Sequence, residues 1–321
     1  MFAARGIAVS FSVFVIVYGA LSVLVSGWWR RVWLFGQRHP ARTCADLLFA
    51  WRMIPLVVAA GVTLSLAVPS FLLLEPRAVD EPMGAVPVVL GFFGVAVMLS
   101  GVWKALSALL RVRQTTAGWS SQSRVISSRA VDSGSSVSVF RISAAAPPLT
   151  AAGILRPRVW LSQAAEFVLT ERELETALRH EVVHLRRRDN LRKLILRLVA
   201  FPGMAELESA WREATEMAAD DAAVSSASEA LDLAAAVIKL SRLAPLEPPA
   251  ELTTALVHSP AESVSTRVAR LIAWTERRPG PAKGYSLGYA ACALIALVAT
   301  VAVTYSELLI RVHAATEWLV R

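Results

Sequence analysis

Two histidines four residues apart, His180 and His184, carry the clearest chemical signal in the chain, and Glu181 directly follows the first of them. On an α-helix, residues i and i+4 share one face, so both imidazoles can bind one metal ion. Glu181 then lies near the open position of that ion, where a carboxylate can take a proton from water. The competing interpretation is a solvated helix face, because charged residues follow at 186–189.

A third ligand is predicted on the next helix, because a catalytic zinc ion keeps three protein ligands and one open position. Glu216 and Asp220 are also spaced by four, within the segment WREATEMAADDAAV. We expect Glu216 to bind the ion and Asp220 to hold the outer nitrogen of a ligating histidine. Alone, the pair would indicate an exposed acidic face; following HEVVH, it favours a metal site.

The elements that must position these residues are predicted from periodicity. Thr170 followed by Glu173 is typical of a helix capping box, and apolar residues then recur at helical spacing up to a break at 202–203. Strands are predicted at 136–143 and Arg158–Leu161, the latter being either a core strand or an edge on which an extended substrate pairs. The remaining predictions are a loose segment at 114–136 and helices at 205–224, 229–243 and 262–276.

The chain is too apolar for an ordinary soluble protein of its size, with 55% hydrophobic residues and a mean hydropathy of +0.51. Apolar runs of about twenty residues predict membrane-spanning helices. The first run is followed by two arginines and no small-residue cleavage site, so we expect it to remain as an anchor. The four runs cover residues 7–29, 53–74, 83–103 and 285–305.

Loop charges predict the orientation of these spans. The first loop is rich in arginine and the second is mainly acidic, so the first is expected in the cytoplasm and the second outside. Both termini are then outside, and the partner of the spans is the lipid bilayer. The net charge of +8 fits cytoplasmic loops, and the sequence has no RNA- or DNA-binding signature, so no direct nucleic-acid partner is expected. The predicted divisions are 1–103 (three spans), 104–283 (a cytoplasmic domain) and 284–321 (the fourth span and a short external tail that is expected to form an interfacial helix).

Taken together, His180, Glu181, His184, Glu216 and Asp220 form the glutamate-zincin pattern HExxH…ExxxD. The extension HEVVHLRRRD resembles the HExxHxxRxD form of the BlaR/MecR-type membrane metallopeptidases. The blocks AAGILRPRVWLS and EMAADDAAV resemble that family's flanking segments, and four spans with the zinc segment between the third and fourth resemble its topology. One departure is Ala219, where the family commonly has cysteine.

This resemblance implies a mostly α membrane protein with four transmembrane helices and a cytoplasmic α+β glutamate-zincin-like metallopeptidase domain. It also implies zinc as the cofactor, endopeptidase activity, and a cytoplasmic winged-helix repressor of the BlaI/MecI type as the suspected substrate. The family's sensors carry an extracellular penicillin-binding domain after the fourth span, whereas about sixteen residues follow it in this sequence. Direct sensing of β-lactams is therefore not expected.

The segment HSPAESVSTRVARL loosely resembles the His-Pro…Arg block of the HtpX and prenyl-protease family. That likeness implies His258 and Arg267 as stabilisers of the developing oxyanion, although His258 is otherwise an ordinary loop residue. Arg187 and Asp189 are expected to form structural ion pairs. Two other functions stay open: an HtpX-like protease that removes damaged membrane proteins, and a non-catalytic membrane scaffold. The complete five-residue pattern argues against the scaffold, HxxRxD favours the regulatory peptidase over the HtpX-like one, and a homo-oligomer is left open.

Overall fold

The computed structural model describes residues 2–76, 84–121, 123–132, 135–142, 147–154, 157–198, 201, 203–243, 253–255, 261–274 and 304–318. Over these residues the protein is mostly helical and contains one small mixed sheet.

Three helices are long and apolar enough to cross a membrane, in agreement with the first three predicted runs. They are α1 (Phe2–Gly36), α2 (Ala41–Val62), which continues through a π-helical turn (Thr63–Ala67) into α3 (Val68–Leu74), and α4 (Ala85–Ser121). A 35-residue helix is about 52 Å long, whereas the hydrocarbon core is about 30 Å thick. Helices of this length would extend beyond a bilayer that they cross. The fourth predicted run lies outside the described residues except for its last two positions.

The surface of these helices suits lipid better than water. Large apolar side chains face outward, and Phe92 and Leu73 are 77% and 71% exposed. A contiguous apolar surface of this kind marks a membrane or protein contact. Helices α1 and α4 can pack closely because Gly91 and Gly94 have no side chain. A Cβ atom at either position would collide with α1.

The sheet has the strand order β1-β2-β4-β3-β5. Strand β4 (Arg158–Ser162) confirms the predicted strand, but it pairs in parallel with β2 (Ser135–Ile142) and antiparallel with β3 (Leu149–Ala152). Both of its edges are occupied, so the alternative in which a substrate pairs with this strand is wrong. The other edge of β3 pairs with β5 (Thr253–Ala255).

The prediction of a loose segment at 114–136 is wrong. Helix α4 continues to Ser121, and β1 (Ser123–Asp132) then pairs antiparallel with β2. The serine-rich composition hides this strand, because its backbone hydrogen bonds come from a neighbour that single-sequence periodicity does not show.

Within the described residues, five helices lie between β4 and β5 in the chain, and a sixth directly follows β5. The capping box of Thr170 and Glu173 is confirmed at the start of α6, and the predicted helices near 205–224 and 229–243 are confirmed with small shifts at their ends. The helical pattern after residue 170 is divided in two, between α6 and α7, which the sequence did not indicate. The bounds are α5 Gln163–Val168, α6 Glu171–Arg187, α7 Asp189–Leu198, α8 Ala205–Ala223, α9 Ala227–Leu243 and α10 Ala261–Ile272.

The corner between α7 and α8 enters the bundle of membrane helices. Phe201 meets Tyr18 of α1 edge-on, with ring centroids 5.7 Å apart, and a side chain at Gly101 would collide with the carbonyl of Leu198. Helix α8 then runs along α2, where the buried Arg52 lies 3.2 Å from Glu208. Helix α8, which carries the predicted ligand Glu216, thus packs directly against the long apolar helix α2.

The far end of the bundle holds the last described helix, α11 (304–318). The Tyr305 hydroxyl donates to the Ser65 carbonyl at 2.8 Å, which fixes this helix against the π-helical turn. Glu75, His313 and Glu317 form a second group of side chains that could hold a metal ion, and there Arg5 pairs with Glu75 at 3.0 Å. The predicted tail after the fourth run is therefore helical.

Candidate metal centre

Three ligand atoms converge in the interior, from His180 and His184 on α6 and from Glu216 on α8. The two Nε2 atoms are 3.1 Å apart, and the Glu216 carboxylate oxygens lie 3.5 Å from His180 Nε2 and 3.6 Å from His184 Nε2. Ligands on a tetrahedral zinc ion, at its usual bond lengths, are roughly 3.3 Å apart. The three side chains therefore fit one metal ion, and both histidines are buried.

The outer nitrogen of each histidine faces a buried carboxylate. His180 Nδ1 lies 3.0 Å from Asp220 Oδ1, and His184 Nδ1 lies 2.8 Å from Asp189 Oδ2. A carboxylate on Nδ1 fixes the tautomer in which the Nε2 lone pair points at the metal. Asp220 stands where the sequence analysis placed it, against the outer nitrogen of a ligand.

The expected ion pair of Asp189 with Arg187 is present at 3.6 Å, but the sequence analysis missed that Asp189 also lies against the outer nitrogen of His184. Asp189 lies five positions after His184, a spacing that puts side chains on different faces of a continuous helix. Arg188 between them adopts the left-handed conformation, with φ 54°, and this turn ends α6 and begins α7. The turn places the Asp189 carboxylate against Nδ1 of His184. The Arg-x-Asp of the HExxHxxRxD pattern was the available signal.

Arg267 pairs with the two acidic residues that α8 contributes to the site, Glu216 and Asp220. Its Nε and Nη2 donate to the two Asp220 oxygens at 2.8 and 2.6 Å, and its Nη1 lies 3.0 Å from Glu216 Oε2. Such two-pronged pairs are the strongest arginine–carboxylate contacts. The sequence analysis expected Arg267 to stabilise an oxyanion; the structure places it beside the ligand set, on the ligand Glu216 itself. That catalytic function stays a prediction, and His258 lies outside the described residues.

Glu181 is fixed by the neighbouring strand and loop. Its Oε2 accepts a hydrogen bond from the Ala151 backbone N–H of β3 at 3.0 Å. Asn190, at the start of α7, donates to the carbonyls of Ala151 and Gly153 at 3.1 and 3.2 Å. Strand β3 is thereby held between the two helices, so the carboxylate of Glu181 keeps one orientation beside the ligands.

Burial and charge set the protonation of the site. Burial raises the pKa of Glu181 to about 7, which the nearby imidazoles of His184 and His180 offset only in part. Burial would also raise the pKa of Glu216, but the Arg267 guanidinium outweighs it, and the pKa falls to about 2. Burial likewise opposes the charge on Asp220, yet Arg267 and His180 hold its pKa well below the usual range.

Two cations complete the surroundings. Burial lowers the pKa of His180, but its hydrogen bonds with Asp220 and Glu216 outweigh burial and raise that pKa to about 9. Lys193, a residue that the sequence analysis did not consider, has its pKa lowered by burial, against the attraction of carboxylates that include Glu216 and Asp189. A metal ion would have to displace the proton of His180 in order to bind.

The fold and this site define a protein with long apolar helices that carries a candidate metal centre of two histidines and a glutamate. No protein-family model matches the chain, and no curated protein sequence matches it.

Proposed function

We propose that this chain is an integral-membrane zinc endopeptidase whose active site faces the cytoplasm. The observation that carries the proposal is the convergence of His180, His184 and Glu216, with each imidazole held by a carboxylate and with Glu181 beside them. Two nitrogen ligands and one carboxylate are a usual set for catalytic zinc. The orientation rests on the arginine-rich first loop and on four predicted spans.

When bound, the zinc ion would activate a water molecule and polarise the carbonyl of the scissile peptide bond. Glu181 would accept a proton from that water as the water oxygen bonds to the carbonyl carbon. Its pKa of about 7 suits a group that must take up and release a proton near neutral pH. Glu181 then passes the proton to the amine nitrogen as the C–N bond breaks. The Ala151 N–H holds Glu181 throughout.

The substrate that we propose is a cytoplasmic winged-helix repressor of the BlaI/MecI type, on the strength of the resemblance to the BlaR/MecR-type metallopeptidases. In the described conformation His180, Glu181 and His184 are all buried. Strand β3 beside them is paired on both edges. Among the described residues, only the ligand Glu216 of this set keeps an exposed side chain, at 16%, so we expect neighbouring chain to move before a peptide binds.

The test is Glu181→Gln, which keeps the size of the side chain but removes the base. We expect cleavage to fall by at least about 10²-fold, because this is the usual contribution of a general base. Zinc content should be unchanged, because Glu181 is not one of the three ligands. The assay follows the length of any winged-helix repressor encoded near this gene, in cells and with purified proteins in detergent.

The matched control is Glu175→Gln on the exposed face of the same helix, which should cut as the wild type does. Equal cleavage by wild type and Glu181→Gln would refute the peptidase assignment for that substrate. If no repressor or other cytoplasmic protein were cut by the wild type alone, the membrane scaffold would be the better account.

A further inference from the structure

Arg187 connects the ligand His184 to membrane helix α2. Its Nε faces Asp189 Oδ1 at 3.6 Å, and its Nη2 lies 3.4 Å from Asp46 Oδ1, near the start of α2. The same oxygen of Asp46 also forms an ion pair with Nη1 of Arg192 on α7, at 2.7 Å. Asp189 in turn accepts from His184 Nδ1. A continuous series of contacts thus runs from α2 through Arg187 and Asp189 to a metal-facing imidazole.

Burial gives this series its energetic weight. The Asp189 side chain is 0% exposed and that of Arg187 is 10% exposed, so their attraction is poorly screened by water. A buried carboxylate requires a counter-charge, and removal of one partner of a buried pair is costly. Arg187 supplies a guanidinium to the Asp189 oxygen that does not face His184. Asp46 is 43% exposed, so its own attraction is weaker.

We propose that Arg187 and Asp46 are positioning residues of the metal centre. They hold Asp189 under His184, and through it they make the affinity and geometry of the site depend on where helix α2 lies. A shift of α2 would move Asp46, release Arg187 and loosen His184. The inference rests on the metal site of the proposed function but does not require that the site cleave peptides.

The chain supplies a matched control. Arg30 of α1 pairs with Glu206 of α8 at 3.2 Å, so it also joins a membrane helix to a ligand-bearing helix. This pair is 75% and 65% exposed, and within the described part of the chain it contacts neither a histidine nor Asp189 or Asp220. Loss of the Arg30–Glu206 pair should therefore leave the metal site unchanged.

The experiment measures zinc affinity by chelator competition on the full-length protein in detergent, for wild type, D46N, R187M, R187K, D189N and E206Q. A partner behind a metal ligand usually contributes 10- to 100-fold, so we expect D189N and R187M to weaken binding by about 10-fold or more. D46N should weaken it by about 3-fold, as an exposed charge does. R187K should recover part of the loss, and E206Q should bind within about 2-fold of wild type.

Two readouts separate positioning from general damage. Cobalt substituted for zinc should show a shifted visible absorption spectrum in R187M and D46N and an unchanged one in E206Q. In the D189N background, D46N should add no further loss, since contacts in one series are not additive. If R187M fails to fold, D46N decides, because its side chain is partly exposed and its replacement is nearly isosteric.

Wild-type affinity and spectrum in both D46N and R187M would overturn the inference, as would a D46N loss that persists in full beside D189N. A wild type that binds no metal would refute the metal site and this inference together. A wild type that binds zinc but cuts nothing would refute only the peptidase, and the effects of D46N and R187M would still support the inference.

Discussion

His180 and His184 are each supported by the same two chemical groups, a carboxylate and an arginine, but the two arginines have different surroundings. Behind each imidazole stands a carboxylate, and behind each carboxylate an arginine: Asp220 with Arg267 for the first, and Asp189 with Arg187 for the second. A ligand, an orienting acid and a counter-charge is the arrangement expected around a catalytic metal.

The two arginines differ in how tightly they hold and in what else they touch. Arg267 is 3% exposed, takes both oxygens of Asp220 and also reaches Glu216, so it joins one histidine's support to the third ligand within the core. Arg187 stands 3.6 Å from Asp189 and points outward to α2. One half of the site is closed on itself, whereas the other half is connected to a membrane helix. If the proposed function holds, a signal from the membrane would act on the His184 half of the site.

The largest expected effect on stability comes from removing Arg267, which supports the His180 half of the site. Arg267→Met leaves two buried carboxylates without their guanidinium, and we expect metal-free stability to fall by about 3–5 kcal/mol. Arg187→Met should cost less, about 1–3 kcal/mol, because Asp189 keeps the His184 N–H. Thermal unfolding of the detergent-solubilised, metal-free variants measures which of the two loses more stability. An equal or larger effect at Arg187 would reverse the comparison.

A smaller effect is expected from pH. Because the pKa of His180 is raised to about 9, the metal-free protein carries a proton there at pH 7, and zinc must displace it. Apparent zinc affinity should therefore fall about tenfold for each unit that the pH drops below 9, for one displaced proton. Calorimetry in buffers of different ionisation enthalpy should detect about one released proton at pH 7. Asp220→Asn should reduce that release, and the same binding heat in all buffers would contradict the raised pKa.

The smallest effect concerns the turn that brings Asp189 into place. Arg188 has a positive φ, which glycine adopts freely and a β-branched residue resists. Arg188→Val should destabilise the protein by roughly 1–2 kcal/mol and weaken zinc binding, whereas Arg188→Gly should leave zinc affinity unchanged. Melting and zinc titration of the pair check this. Equal behaviour of the valine and glycine variants would mean that the turn does not position His184.

The same turn shows why the four residues on regular helices could be predicted from their spacing and the contact of Asp189 with His184 could not. His180, His184, Glu216 and Asp220 lie on regular helices, where spacing by four determines which residues share a face. Asp189 reaches His184 only through the left-handed residue between α6 and α7, and nothing in an arginine at that position signals such a turn.

A similar limit applies to the fold. The first three spans follow from apolar length alone, since a bilayer sets the length of its helices. Strands β1 and β3 were missed, because their pairing with β2 and β4 is decided by tertiary contact and not by local pattern. The contact of Phe201 with Tyr18 also joins residues far apart in the chain, and no local sequence pattern predicts it.

The most direct test of the account is the metal content of the purified full-length protein. We expect about one zinc ion per chain in the wild type, since two histidines and one glutamate form one catalytic-type site. Glu216→Ala should lose that ion as His180→Ala does, whereas Glu213→Ala, exposed on the same helix, should keep it. Wild-type protein that takes up no zinc, or a Glu216→Ala variant that retains it in full, would contradict the central claim that these three side chains form one metal centre.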